Sequence, residues 1–286
     1  MKKAFVGLSL IGITLCLGCK DLRVREDPDV VFGEAGGQRL LLDVFRLAEP
    51  ARAVRPAIIF IHGGGWSAGS KADYRDPARA MAGAGYVTFS VNYRLLAAGR
   101  NCWPAQLDDV QRAVRWVRAH AGEYGVDPQR IGAFGHSAGG HLAACLGTRE
   151  TRDNSDVSLA RYSSRVSCVV DMSGPSDLLL PLNAQAEGLV NALVGVPTAD
   201  RPAALRDASP VYSVSPKSAP FLIVHGRNDD LVSPKHAEVL DAALRQAGVE
   251  SKLLVFDGEG HVLSSKANAD RMVVETLAFL KEHLTP

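Results

Sequence analysis

The sequence predicts an α/β fold, a mostly parallel sheet with helices on both faces. Three observations predict it. Short apolar runs rich in β-branched residues alternate with helix-period segments along most of the chain, and repeated β-α pairs imply parallel strands joined by crossover helices. Some runs, such as residues 57–61 (AIIFI), are apolar at every position, as expected of a strand covered on both faces. The 286 residues are 47% hydrophobic and 22% charged. That composition is globular, and a chain of this length can bury roughly 75% of its unfolded surface without disulfide or metal staples.

Residues 20–37, polar around 21–29, read as a linker. Residues 39–46 alternate loosely and read as a strand, followed by the buried strand at 57–61. Residues 74–83 read as a helix stopped by Gly83 and Gly85. Residues 86–93 (YVTFSVNY) are β-branched and aromatic, hence a strand. Residues 104–120 carry the helical period, with Leu107, Val110, Val114 and Val117 on one side. Strands at 130–134, 166–172, 221–225 and 252–256 then alternate with helices at 138–147, 234–247 and 267–283. Residues 176–220 break the rhythm. This stretch reads as short helices forming a lid-like insertion over the C-terminal edge of the sheet, where open α/β folds bind ligands.

Thirty-two Lys and Arg against 31 Asp and Glu leave a net charge of +1. Binding to nucleic acid needs clustered positive charge, so no such partner is expected.

Two local patterns carry chemistry. Gly135-His136-Ser137-Ala138-Gly139 fits G-x-S-x-G between an expected strand and an expected helix, the context in which the serine hydroxyl projects above the sheet. The Ala138 N–H, at the start of that helix, points toward an anion formed there. His62-Gly63-Gly64-Gly65-Trp66 follows the strand ending at Ile61, and such loops supply the second half of an oxyanion hole. No Gly-Lys-Ser/Thr follows it, which sets a phosphate cradle aside.

A serine needs a base oriented by a third group. Asp229 lies in HGRNDDLV (residues 225–232) after one strand, and His261 lies in GEGH (258–261) after the next. The chain order is Ser137, Asp229, His261, an order found where a serine on a strand-to-helix turn is served by an acid and a histidine on later loops. Asp230, Asp171 and Asp177 are the rival acids. Of the other histidines, His136 and His141 flank the nucleophile and read as packing or hydrogen-bonding residues. No His, Cys and carboxylate cluster has metal spacing, so neither metal nor cofactor is expected.

Taken together, HGGGW, NYRL (92–95), DPQRIGAFGHSAGGHLA (127–143), HGRNDDLV and GEGH resemble the α/β-hydrolase superfamily. More narrowly they resemble its bacterial carboxylesterase branch, which includes feruloyl-esterase-like and hormone-sensitive-lipase-like enzymes. The resemblance covers residues 38–284. It implies an eight-stranded, mostly parallel sheet and a serine triad, with Ser137 as nucleophile, Asp229 as acid and His261 as base. It also implies Gly64, Gly65 and Ala138 as oxyanion donors. Asp230 departs from the pattern, since many relatives carry proline there. The expected activity is hydrolysis of carboxylic esters through an acyl-enzyme, on a small or polysaccharide-linked substrate with acetyl or feruloyl groups. The rival readings are an amide or peptide hydrolase with the same triad, and a binding protein on a hydrolase scaffold that has lost its activity.

The start of the chain reads as an address. Met1-Lys2-Lys3 precedes a fourteen-residue apolar run at 4–17, a secretion-signal pattern too short for an ordinary membrane span. Leu17-Gly18-Cys19 resembles a bacterial lipobox, which implies lipidation at Cys19, export to the periplasm or cell surface and a membrane tether. Of the remaining cysteines, Cys145 and Cys168 read as buried small hydrophobes, and Cys102 is open to pairing with a neighbour.

Overall fold

The computed structural model describes residues 23–49, 53–195 and 199–285. The leader and Cys19 lie outside the described residues. Eight strands form one sheet: β1 (Val24–Ala35), β2 (Gln38–Leu47), β3 (Arg55–Ile61), β4 (Val87–Val91), β5 (Val126–His136), β6 (Cys168–Met172), β7 (Phe221–Gly226) and β8 (Ser251–Phe256). Their order across the sheet is β1-β2-β4-β3-β5-β6-β7-β8. The first two pairings, β1 with β2 and β2 with β4, are antiparallel, and every later neighbour is parallel.

The helices are α1 (Arg75–Gly83), α2 (Ala105–Ala119), α3 (Ala121–Tyr124), α4 (Ala138–Thr148), α5 (Ala184–Val194), α6 (Arg201–Ala208), α7 (Lys235–Gln246) and α8 (Lys266–Leu284). Two apolar layers flank the sheet. On one face α1 and α8 cover Ile58, Phe60, Phe134, Val170 and Leu222. On the other, α2, α4 and α7 cover Ile59, Ile61, Ile131, Val169 and Phe221. Consecutive strand residues alternate between these layers, which is why β3 is apolar at every position from Ala57 to Ile61.

One expectation is corrected. Much of the stretch read as a linker is β1, paired with β2 through a turn at Gly36 and Gly37. Its sequence, VREDPDVVFGEA, hides it because an edge strand needs few apolar residues and benefits from charge that discourages pairing with other chains. The register shifts between Asp27 and Val30, which brackets Pro28. A proline is tolerated at such a bulge, where no ladder hydrogen bond is lost.

A second difference concerns α2. Its apolar stripe lies on the sheet as expected, but Asp109, Arg112 and Arg115 are buried as well. The segment between α4 and β6 folds over that side. Arg115 donates through Nη1 to the Asp153 carbonyl (2.7 Å) and through Nε to the Leu159 carbonyl (3.0 Å). Asp109 accepts from the Arg94 N–H at 2.8 Å and forms an ion pair with its guanidinium.

The insertion holds α5, α6 and a 3-10 turn at Pro210–Ser213. It is tied to the rest of the fold by His141. Nε2 of His141 donates to the Ala208 carbonyl at 2.7 Å, while Nδ1 accepts from the Trp66 indole N–H at 3.3 Å. Burial pushes His141 down to about 4, which keeps it in this neutral form. Cys102, Cys145 and Cys168 are free thiols, the last two fully buried.

Candidate active site

Four loops meet at the C-terminal edge of the parallel strands. They leave β3 (His62 to Trp66), β5 (Ser137), β7 (Asp229) and β8 (His261). Because these strands run parallel, their C-terminal ends share one rim, and residues far apart in sequence converge there.

Ser137 sits between β5 and α4 with φ 58° and ψ −123°, a conformation that costs a non-glycine residue about 1–3 kcal/mol. Small neighbours make the turn possible. A Cβ on Gly135 would lie 2.1 Å from the Gly139 carbonyl oxygen, and one on Gly139 would lie 2.0 Å from that of Ile61. The first turn of α4 therefore presses directly on the end of β3, which brings the glycine loop alongside the serine. A Cβ built on Gly63 would be 3.5 Å from the Ser137 Cβ.

Nε2 of His261 is 2.9 Å from Ser137 Oγ, and its Nδ1 is 2.7 Å from Asp229 Oδ2. The Asp229 side chain is 0% exposed and that of His261 17%, so the acid is dry while the imidazole reaches the solvent side. Burial pushes the Asp229 carboxyl up. Hydrogen bonds from His225 and His261, together with the Val232 N–H, outweigh it and hold the group well below the ordinary carboxylate range. Oδ1 accepts the N–H groups of Leu231 (3.0 Å) and Val232 (2.8 Å), which fixes the carboxylate plane.

The rival acids are placed elsewhere. Asp230 is exposed. Asp171 is buried between Gly140 and Gly174, accepts the Gly174 N–H at 3.0 Å, and is pushed up to about 6 by burial. Asp177 accepts from the Tyr212 hydroxyl. Of the four carboxylates weighed, Asp229 meets the imidazole.

The expected oxyanion donors line the same loops. Ala138 is the first residue of α4, so its N–H has no intrahelical acceptor. Among the described residues, the N–H groups of Gly64 and Gly65 donate to no protein acceptor. Leu189 of α5 covers the loop, with its Cδ1 2.8 Å from where a Cβ of Gly65 would stand.

Three residues support the triad: Glu259 and His225 escaped the sequence reading, and His136, read as a packing or hydrogen-bonding residue, bonds to a partner distant along the chain. His136 donates from Nε2 to the His261 carbonyl at 2.8 Å. Glu259 is buried and accepts from the Ser264 N–H (2.6 Å), the Ser264 hydroxyl (2.9 Å), the Ser265 N–H (3.0 Å) and Asn268 Nδ2 (2.7 Å). Those bonds close the loop that carries His261. His225 lies 3.2 Å from Asp229 Oδ2. The presence of His136, Glu259 and His225 inside the motifs was their only signal. As for a metal, the described residues bring Glu250, Glu282 and His283 together, on the surface where β8 begins and α8 ends, at the edge opposite the triad.

The family model BD-FAE matches residues 42–244. The chain belongs to the BD-FAE family. It is an α/β-hydrolase of the carboxylesterase branch, as the motifs implied. Its relatives include "Probable carboxylic ester hydrolase LipM" of Mycobacterium tuberculosis, 31% identical in an alignment 271 residues long that covers 90% of this chain and 61% of that protein. The chain spans about three fifths of the length of the curated relatives it matches first (61% and 62%). Among solved structures, esterase 2 of Thermogutta terrifontis in its butyrate-bound form is 29% identical, with a TM-score of 0.76 over 90% of this chain and 95% of that one. An acetyl ester-xyloside bifunctional hydrolase from Caldicellulosiruptor lactoaceticus is 27% identical, with a TM-score of 0.74 over 88% of this chain and 94% of that one.

Proposed function

We propose that this BD-FAE protein is a serine carboxylic-ester hydrolase that works through an acyl-enzyme on short acyl esters, acetyl esters of carbohydrates included. The observation that carries the reading is the continuous line from Ser137 Oγ through His261 to Asp229, with contacts of 2.9 and 2.7 Å. His261 Nε2 takes the hydroxyl proton as Oγ attacks the ester carbonyl. The carbonyl oxygen becomes an oxyanion facing the N–H groups of Ala138, Gly64 and Gly65. Collapse breaks the carbon–oxygen bond to the alcohol, which leaves with the proton from His261. Water then repeats the cycle on the acyl-enzyme and releases the acid. Asp229 stays ionised throughout, holds the Nδ1–H tautomer and stabilises the imidazolium.

The short-acyl preference is supported by Leu189 standing over Gly65 and by the butyrate and acetyl ester named for the two structural neighbours. A panel of nitrophenyl acetate, butyrate and octanoate beside methyl ferulate tests it. Ser137→Ala should lower turnover about 10⁴-fold or more. Retained turnover in that variant, or failure of the parent to label with a fluorophosphonate, overturns the reading. We further propose export and acylation at Cys19, supported by the lysines and apolar run before Leu17-Gly18-Cys19. Incorporation of a clickable fatty acid that disappears in Cys19→Ala is the expected result.

A further inference from the structure

The H-G-x-x-D pattern places a second imidazole four residues before the acid, and the steps above give it no role. His225 is the penultimate residue of β7, with its side chain fully buried. Its Nε2 lies 2.8 Å from the Val232 carbonyl oxygen and 3.2 Å from Asp229 Oδ2. A carbonyl oxygen can only accept, so the nitrogen facing it carries the proton. That N–H is aimed at the Val232 carbonyl, and Oδ2 of the carboxylate is the second acceptor within reach of it. The oxygen it reaches is the one that receives His261 Nδ1–H at 2.7 Å, while the other takes two main-chain amides.

We propose that His225 is a positioning residue for Asp229. By donating Nε2–H to Oδ2 it divides that oxygen with His261, holds the carboxylate in the rotamer the base needs, and limits how strongly the acid favours a charged His261. The proposal rests on the triad reading above.

The consequence is a readable pH effect. A carboxylate with one donor fewer attracts its partner's proton more strongly, so without His225 the imidazolium of His261 persists to higher pH. Since kcat/KM requires neutral His261, its acid limb then moves to higher pH. The titratable groups that bear on His225 are Asp229 and, through it, His261 on the rim loops, Asp171 from β6, His136 from β5 and His236 from α7. They stay in place in a His225 variant.

His225→Leu removes the donor and keeps an apolar side chain in the site. It should lower kcat/KM on nitrophenyl acetate about tenfold and raise the acid limb by about half to one pH unit. His225→Gln, whose side-chain amide can place an N–H where Nε2 stands, should restore the limb and most of the rate. A folded His225→Leu enzyme with an unmoved limb overturns the proposal, as does a Gln variant no better than Leu. Should both variants fail to fold, nitrogen-15 histidine spectra of the unaltered enzyme decide. They should show His225 as the Nε2–H tautomer, and an Nδ1–H tautomer overturns the proposal. That spectrum is independent of turnover, so a failure of the triad reading in Ser137→Ala remains distinguishable from a failure here.

Discussion

Nε2 of His136 donates to the main-chain carbonyl of His261 across 2.8 Å, so the residue before the proposed nucleophile grips the residue proposed as base. The bond requires a proton on Nε2. Burial, reinforced by the nearby His261, pushes His136 down to about 4, so it remains neutral at ordinary pH. His136→Phe keeps the ring and deletes the donor. It should reduce kcat about tenfold, with a smaller change in KM. The same variant should flatten the pH dependence of stability. A histidine whose folded value is depressed contributes stability that is intact above about 6.5 and lost as pH falls toward 4, because the unfolded chain takes up the proton first. Urea titrations at several pH values across that window check the slope.

The backbone at Ser137 supplies a second prediction. Its φ of 58° is strained for any residue with a Cβ. Ser137→Gly should therefore be inactive and more stable than Ser137→Ala by about 1 kcal/mol, seen as a melting temperature higher by about 2–4 °C. Equal melting temperatures for the two would mean that the turn stores no strain.

Glu259 allows a test of loop anchoring. Burial raises its carboxyl, but the donors from Ser264, Asn268 and Ser265 outweigh that and bring it from 4.5 to about 2. The sign follows from proton uptake. The contribution to stability is full above 4.5 and is lost as pH falls toward 2, since the unfolded state binds the proton first. Glu259→Gln should lower stability at neutral pH, flatten the acid slope in that window, and reduce kcat by loosening the His261 loop. An unchanged slope in denaturation followed by fluorescence would remove Glu259 from this role.

Leu189 offers a change of specificity. It stands against Gly65, beside the expected path of the acyl group. Leu189→Ala should shift the ratio of octanoate to acetate kcat/KM about tenfold toward the longer chain, and Leu189→Trp should move it the opposite way. A ratio that ignores both substitutions would place the acyl group elsewhere.

What the sequence made legible was local. The strands at 57–61 and 221–224 announce themselves because burial on both faces leaves no polar position. Ser137, Asp229 and His261 were readable because each lies just past a strand, and parallel strands deliver their ends to one rim. The hidden parts depend on neighbours distant along the chain. β1 is polar because only one of its edges pairs. The charged side of α2 is buried by a segment some forty residues later. Glu259, His136 and His225 act through contacts that no spacing rule foretells, although each lies inside a quoted motif. The H-G-x-x-D spacing favoured Asp229 over Asp230, and the physical reason is that the Asp229 carboxylate turns inward while Asp230 is exposed.

One neutral imidazole, that of His141, bonds at once to Trp66 of the glycine loop and to Ala208 of the insertion. Two segments that share no strand or helix are thus coupled through a single buried side chain, and a displacement of either is passed to the other.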